Sequence, residues 1–83
     1  MHLEILTPEK KFFSAEVYGV QLPGISGKFE VLDKHAPIVS ALGKGVLKVL
    51  KDKTATQNFA ISGGFVEVID NTVTVLAEAA SEA

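Results

Sequence analysis

The run Gly64-Phe65-Val66-Glu67-Val68-Ile69-Asp70-Asn71-Thr72-Val73-Thr74-Val75-Leu76-Ala77 holds two short segments crowded with β-branched residues and parted by a single Asp-Asn dipeptide. Val66 and Val68 alternate with Glu67, and Val73 and Val75 alternate with Thr74, the period of two that a strand needs. Asp70-Asn71 supplies the two residue types that tolerate positive φ in a tight hairpin. The same texture extends along the chain, in Leu3–Leu6, Glu16–Leu22, Lys28–Leu32, Ile38–Leu42, Val46–Lys51 and Thr56–Ile61. Between these segments lie Thr7-Pro8-Glu9, Pro23-Gly24, Ser26-Gly27, Ala36-Pro37, Gly43-Lys44-Gly45, Asp52-Lys53 and Ser62-Gly63-Gly64. Short strands every roughly 8–12 residues, with a turn signal at each gap, predict an all-β fold. The expected architecture is an antiparallel β-sandwich or flattened barrel of about eight to ten short strands over residues 1–78. Only the tail reads differently. Leu76-Ala77-Glu78-Ala79-Ala80-Ser81-Glu82-Ala83 is built mostly of helix formers. Residues 79–83 are therefore expected to be a polar, Ala-rich start of a helix.

Composition narrows the functions open to such a fold. Eighty-three residues make one small domain, and at 47% apolar and 22% charged the chain is too hydrophobic to be disordered. A domain of this size has a thin stability margin and gains from burying more surface on a partner. The absence of cysteine excludes a disulfide scaffold, a thiolate zinc site and a cysteine nucleophile. Net charge is −2, arginine is absent and the eight lysines are scattered, the opposite of a nucleic-acid-binding footprint. No apolar run approaches the ~20 residues of a membrane helix. Met1-His2-Leu3-Glu4 lacks a basic n-region, which predicts an intracellular domain without a signal or transit peptide.

Candidate chemistry is sparse. Asp33, His35 and Ser40 supply the residue types of a hydrolytic triad, but nothing gives the serine a strained turn or an oxyanion hole. A metal site would need His2 and His35 to meet with carboxylate help, and their spacing does not suggest it. Gly43-Lys44-Gly45 and Gly63-Gly64 are turn glycines, since neither follows a strand and opens a helix as phosphate cradles do. Lys53, at the expected hairpin tip Lys51-Asp52-Lys53-Thr54, could be the modified lysine of a lipoyl- or biotinyl-type carrier domain, although the half-repeat of such domains is missing. No catalytic residue, cofactor or metal is assigned. A surface-loop role for His35 at an interface is the favoured reading.

Several collinear stretches point further. Leu3-Glu4-Ile5-Leu6-Thr7-Pro8-Glu9-Lys10 leads into Phe13-Ser14-Ala15-Glu16-Val17 and Val20-Gln21-Leu22-Pro23-Gly24. Gly27-Lys28-Phe29-Glu30-Val31-Leu32 and His35-Ala36-Pro37-Ile38-Val39-Ser40-Ala41-Leu42 follow. Gly45-Val46-Leu47, Ile61-Ser62-Gly63-Gly64-Phe65-Val66-Glu67-Val68 and Asn71-Thr72-Val73-Thr74-Val75-Leu76-Ala77-Glu78 complete the series. In order and spacing, residues 3–78 closely resemble the N-terminal β-sandwich domain of the epsilon subunit of the rotary F-type ATP synthase, called delta in mitochondria.

The resemblance implies a non-catalytic central-rotor part. It would pack on the gamma subunit, rest on the c-ring loops, and act on the alpha/beta catalytic hexamer indirectly by coupling ion-driven rotation to ATP synthesis and hydrolysis. The implied location is peripheral, on the cytoplasmic face of the bacterial plasma membrane. Carried over residue by residue, the c-ring contact falls on Gly27, Lys28, Phe29, His35 and Ala36. The gamma contact falls on Thr7, Leu42, Gly43, Gly45 and Ala77. This chain departs from the family pattern at Lys28, Glu30 and Asp33-Lys34, where a φ-permissive glycine is lost. Family members usually continue into a two-helix hairpin that can inhibit hydrolysis. Either a truncated domain or a naturally short subunit would lack it, and in both cases no self-inhibition and no ATP site are expected. The alternative is a generic β-sandwich interaction module.

Overall fold

The computed structural model describes residues 1–83 and contains ten strands and no helix. The strands are β1 (His2–Leu6), β2 (Lys11–Glu16), β3 (Gly19–Gly24), β4 (Gly27–Leu32), β5 (Ile38–Leu42), β6 (Gly45–Leu50), β7 (Thr56–Ile61), β8 (Gly64–Ile69), β9 (Thr72–Ala77) and β10 (Ala80–Glu82). They form two five-stranded halves, β10-β7-β6-β3-β4 and β5-β8-β9-β1-β2, joined where β3 meets β5 at the single pair Gly24–Leu42. Two further backbone bonds, Ile25 N–H to Ala41 O at 3.2 Å and Gly43 N–H to Pro23 O at 2.8 Å, reinforce this corner.

The inward-facing residues of both halves make one core of 16 buried apolar side chains. Leu3, Ile5, Val20, Val31, Leu47, Val49, Val66, Val73 and Val75 are fully buried, and no polar or charged residue is. No buried side-chain nitrogen or oxygen lacks a hydrogen-bond partner. Strands of this length bury one face each, so the period-two alternation of the sequence and the core are the same fact.

The β8–β9 hairpin is formed as read, in full register from Gly64–Ala77 to Ile69–Thr72. Asp70 and Asn71 have φ of 50° and 59°, the left-handed pair that a two-residue loop on twisted strands requires. Three features differ from the sequence reading. The segment Glu16–Leu22 is not one strand: Glu16 ends β2, the chain turns at Val17-Tyr18, and β3 begins at Gly19. One pairing is parallel, β1 with β9. Antiparallel order follows from tight hairpins, and these two strands are far apart in the chain.

The tail is the third difference. Ala80–Glu82 is not the first turn of a helix but strand β10, antiparallel to β7 with Ala80 opposite Ile61 and Glu82 opposite Phe59. Ser62 N–H donates to Ala79 O at 3.2 Å and Ala83 N–H to Asn58 O at 3.2 Å. An isolated segment this short cannot sustain a helix. An open strand edge, by contrast, offers donors and acceptors that need partners.

Candidate functional site

Residues 33–37 form the loop from β4 to β5. His35 N–H donates to Leu32 O at 3.1 Å, closing a tight turn in which Lys34 takes φ 63°. The position that needs left-handed freedom is thus filled by lysine, a strained choice for a side chain with a Cβ. Asp33 anchors the turn: its Oδ1 accepts from Asn71 Nδ2 at 2.8 Å and from the Met1 ammonium at 3.0 Å. The Asn71 bond first, and the ammonium bond next, hold the Asp33 carboxyl below its ordinary value. His35 is half-buried, and its Nδ1 bonds Ala36 O at 2.7 Å. A carbonyl oxygen can only accept, so Nδ1 is the donor in this bond. Ala36 and Pro37 are exposed beside it.

Gly27, Lys28 and Phe29 lie at the other end of β4. Gly27 has φ 128° and opens onto free space, Lys28 is exposed, and the Phe29 ring lies over Gly24, where a Cβ would come within 2.9 Å of it. The residues assigned to a c-ring contact therefore do not share one tip. They bracket a six-residue strand, about 20 Å at ~3.3 Å per residue. That strand pairs with β3 alone, so it is the free edge of its half.

The residues assigned to gamma gather more closely, around the corner between the halves. Thr7 and Ala77 line one groove together with Leu6, Pro8, Phe65 and Leu76. Leu42 pairs with Gly64, and Gly45 packs on Pro23, where a Cβ would stand 2.8 Å from the proline Cβ. Yet the Leu42 and Ala77 side chains are only 4% exposed and belong to the core. They are not free for a partner to touch. The accessible apolar groups here are neighbours that the sequence reading did not assign: Val39 at 74%, Phe65 at 57% and Leu76 at 53% exposure. Phe65 is directly opposite Leu76 on β9 and Ala41 on β5, and Val39, Phe65 and Leu76 form one outward patch across β5, β8 and β9. Their signal was in the sequence. Phe65 and Ile69 put apolar residues, on either side of Glu67, on the phase opposite to Val66 and Val68, where a strand with one solvated face would carry polar ones.

The residues of the other readings do not come together. Asp33 is engaged by Asn71, His35 bonds its own neighbour, and neither bonds Ser40. His2 lies on the β1–β2 face, with Nδ1 at 2.8 Å from Glu16 Oε2 and Nε2 at 3.1 Å from Ser14 Oγ. No group of three or more His, Cys, Asp or Glu side chains is arranged to hold a metal. Lys53 is exposed in the loop between β6 and β7. That loop is set by Asp52, whose Oδ1 accepts the Thr54 and Ala55 N–H groups at 2.8 Å each.

Comparison with known proteins settles the family. The family model described as ATP synthase, Delta/Epsilon chain, beta-sandwich domain, matches residues 1–83. The chain belongs to that ATP synthase delta/epsilon family. An ATP synthase epsilon chain of Nitratidesulfovibrio vulgaris is 49% identical over 83 residues, covering all of this chain and 61% of the relative. One from Salinibacter ruber is 46% identical over 85 residues, covering 92% and 56%. The chain thus spans little more than half the length of these epsilon relatives. Among solved structures, a chain of the Euglena gracilis mitochondrial ATP synthase (OSCP/F1/c-ring, rotational state 1) superposes with a TM-score of 0.89 at 26% identity, covering 96% of this chain and 51% of that one. A chain of the Tetrahymena thermophila mitochondrial ATP synthase central stalk and c-ring shares the fold, with a TM-score of 0.83 at 20% identity, covering 98% and 65%. The family is not that of the carrier domains, and Lys53 loses its proposed role with them.

Proposed function

We propose that this chain is the β-sandwich of a non-catalytic central-stalk subunit of ATP synthase. It packs on gamma, rests on the c-ring, and transmits ion-driven rotation toward the alpha/beta hexamer without chemistry of its own. The complex would hold it at the cytoplasmic face of a bacterial membrane. The match of the whole chain to the delta/epsilon sandwich carries this reading. The Euglena neighbour, taken from an assembly that includes F1 and a c-ring, supports it.

The outward patch of Val39, Phe65 and Leu76 is the surface that suits gamma. It is apolar, continuous across three strands, and borders the groove that Thr7 lines. A contiguous apolar patch on a small β domain is characteristic of a protein interface. The free edge strand β4, with Lys28 at one end and His35 beyond the other, suits a polar contact along the ring. The test is co-purification with the gamma subunit of a related ATP synthase. Retention of the parent chain and its loss in Phe65→Glu are expected. A parent chain that fails to bind any gamma homologue would leave only the generic interaction module.

A further inference from the structure

The turn that presents His35 is held from outside its own loop. We propose that Asn71 is a positioning residue for the His35 loop, clamping Asp33 and Lys34 with the two ends of one carboxamide and so fixing how His35 and Ala36 are offered to a partner. The inference rests on the reading of His35 as a c-ring contact.

The carboxamide geometry allows one arrangement. Asn71 Oδ1 accepts the Lys34 N–H at 2.6 Å, and Asn71 Nδ2 donates to Asp33 Oδ1 at 2.8 Å. A backbone N–H can only be met by the oxygen, and an ionised carboxylate can only be met by the NH2, so the two partners together fix which way the amide points. Neither glycine, serine nor alanine at position 71 could meet both. Asn71 is itself firmly seated. It is the second residue of the β8–β9 turn, with φ 59°, and its carbonyl accepts the His2 N–H at 3.1 Å. The clamp therefore ties a loop after β4 to a hairpin 37 residues further on and to the first strand. Its need is local and visible. Lys34 stands at φ 63° without the freedom of glycine, and the Leu32–His35 bond is the loop's one backbone bond of its own.

The hairpin and the clamp ask different things of residue 71. The hairpin asks only for positive φ, which glycine supplies. The clamp asks for a carboxamide. Asn71→Gly therefore separates them. By amide hydrogen exchange, the β8 and β9 amides of Asn71→Gly should keep their protection while the Lys34 and His35 amides exchange about tenfold faster, the loss of one hydrogen bond. The reciprocal swap Asp33→Asn with Asn71→Asp should restore the loop. One oxygen of the carboxylate then at position 71 would take the Lys34 N–H, and the other would take the carboxamide then at position 33. Asn71→Asp alone instead sets two carboxylates against each other. Unchanged Lys34 and His35 exchange in Asn71→Gly overturns the inference. So does a swap that protects the loop no better than Asn71→Asp alone. Binding of the same variants, with gamma present, to a detergent-solubilised c-ring separates this from the functional reading. If the loop loosens and ring binding does not change, the clamp stands and the ring contact of His35 falls.

Discussion

Phe12 packs edge-on against Phe59, with ring centroids 5.3 Å apart and planes at 83°. Its chain neighbour Phe13 meets the same ring at 5.1 Å. Consecutive residues of a strand point to opposite faces, so both can reach Phe59 only because the β1–β2 register slips there. Ile5 pairs with Phe13 and Leu6 with Lys11, leaving Phe12 as the extra residue of a bulge. Phe59 lies on β7, in the other half of the sandwich, and is 2% exposed. The trio joins the two halves a second time, between β2 and β7. Phe59→Ala should cost about 3–5 kcal/mol, a large fraction of what an 83-residue domain possesses. Urea denaturation measures it directly. A loss below about 1 kcal/mol would mean that the aromatic contact does not hold the halves together.

The same bulge explains why β2 was not legible in the sequence while β8 and β9 were. A period-two search finds Val66, Val68, Val73 and Val75 because their strands are regular and their turn is an Asp-Asn pair. It passes over Lys11-Phe12-Phe13-Ser14-Ala15-Glu16 because the slip at Phe12 breaks the period. The tail failed for another reason. Propensity at Ala79 and Ala80 favours helix by fractions of a kcal/mol per residue, and an unpaired β7 edge outweighs that. Of the candidate site, the loop residue His35 and the corner glycines were legible as turns. What was not legible was which strand ends share an end of the sandwich, since that depends on topology. Hence Gly27 and His35 were grouped although β4 separates them, and the burial of Leu42 beside exposed Phe65 could not be read from the chain.

Gly64 and Gly27 both have positive φ, 141° and 128°, but their surroundings differ. A Cβ on Gly64 would fall 1.9 Å from the Leu76 carbonyl oxygen, and one on Gly27 would meet nothing within 4 Å. Gly64→Ala must therefore open the start of the β8–β9 ladder, while Gly27→Ala carries backbone strain alone, about 1–3 kcal/mol. Thermal melts of the two variants should rank them clearly, with Gly64→Ala much the lower. Equal midpoints would show that the strand can shift to admit the methyl group.

Asp33 and Asp52 should each titrate below the ordinary aspartate value of 3.8. For Asp33 the main cause is the Asn71 amide, followed by the Met1 ammonium. For Asp52 it is the backbone N–H of Thr54, then that of Ala55. A carboxyl whose folded pKa is depressed contributes stability that is fully present above its unfolded pKa and is lost as pH falls through the folded one. Stability should thus be level above pH 3.8 with respect to these groups and decline below it. Asp33→Asn should make that acid decline shallower. Carboxyl carbon chemical shifts followed by NMR test the origin, and a midpoint for Asp33 at or above 3.8 rejects the anchoring of its loop.

The two proposed contacts lie on different elements, so they should fail separately. Phe65 is on the exposed side of β8, 57% accessible, and its replacement by glutamate removes no core contact. His35 is in the β4–β5 loop and bonds only backbone groups of its own turn. Neither Phe65→Glu nor His35→Ala should shift the thermal midpoint by more than a few degrees, the range of surface substitutions. Phe65→Glu should abolish gamma binding, because a charge set into an apolar interface is left without a partner. His35→Ala should leave gamma binding intact and weaken retention on the ring, lowering coupling of rotation to ATP turnover in reconstituted vesicles. A midpoint several degrees lower for His35→Ala would make that side chain a structural one. Loss of gamma binding in His35→Ala would show that one surface, not two, meets the rotor.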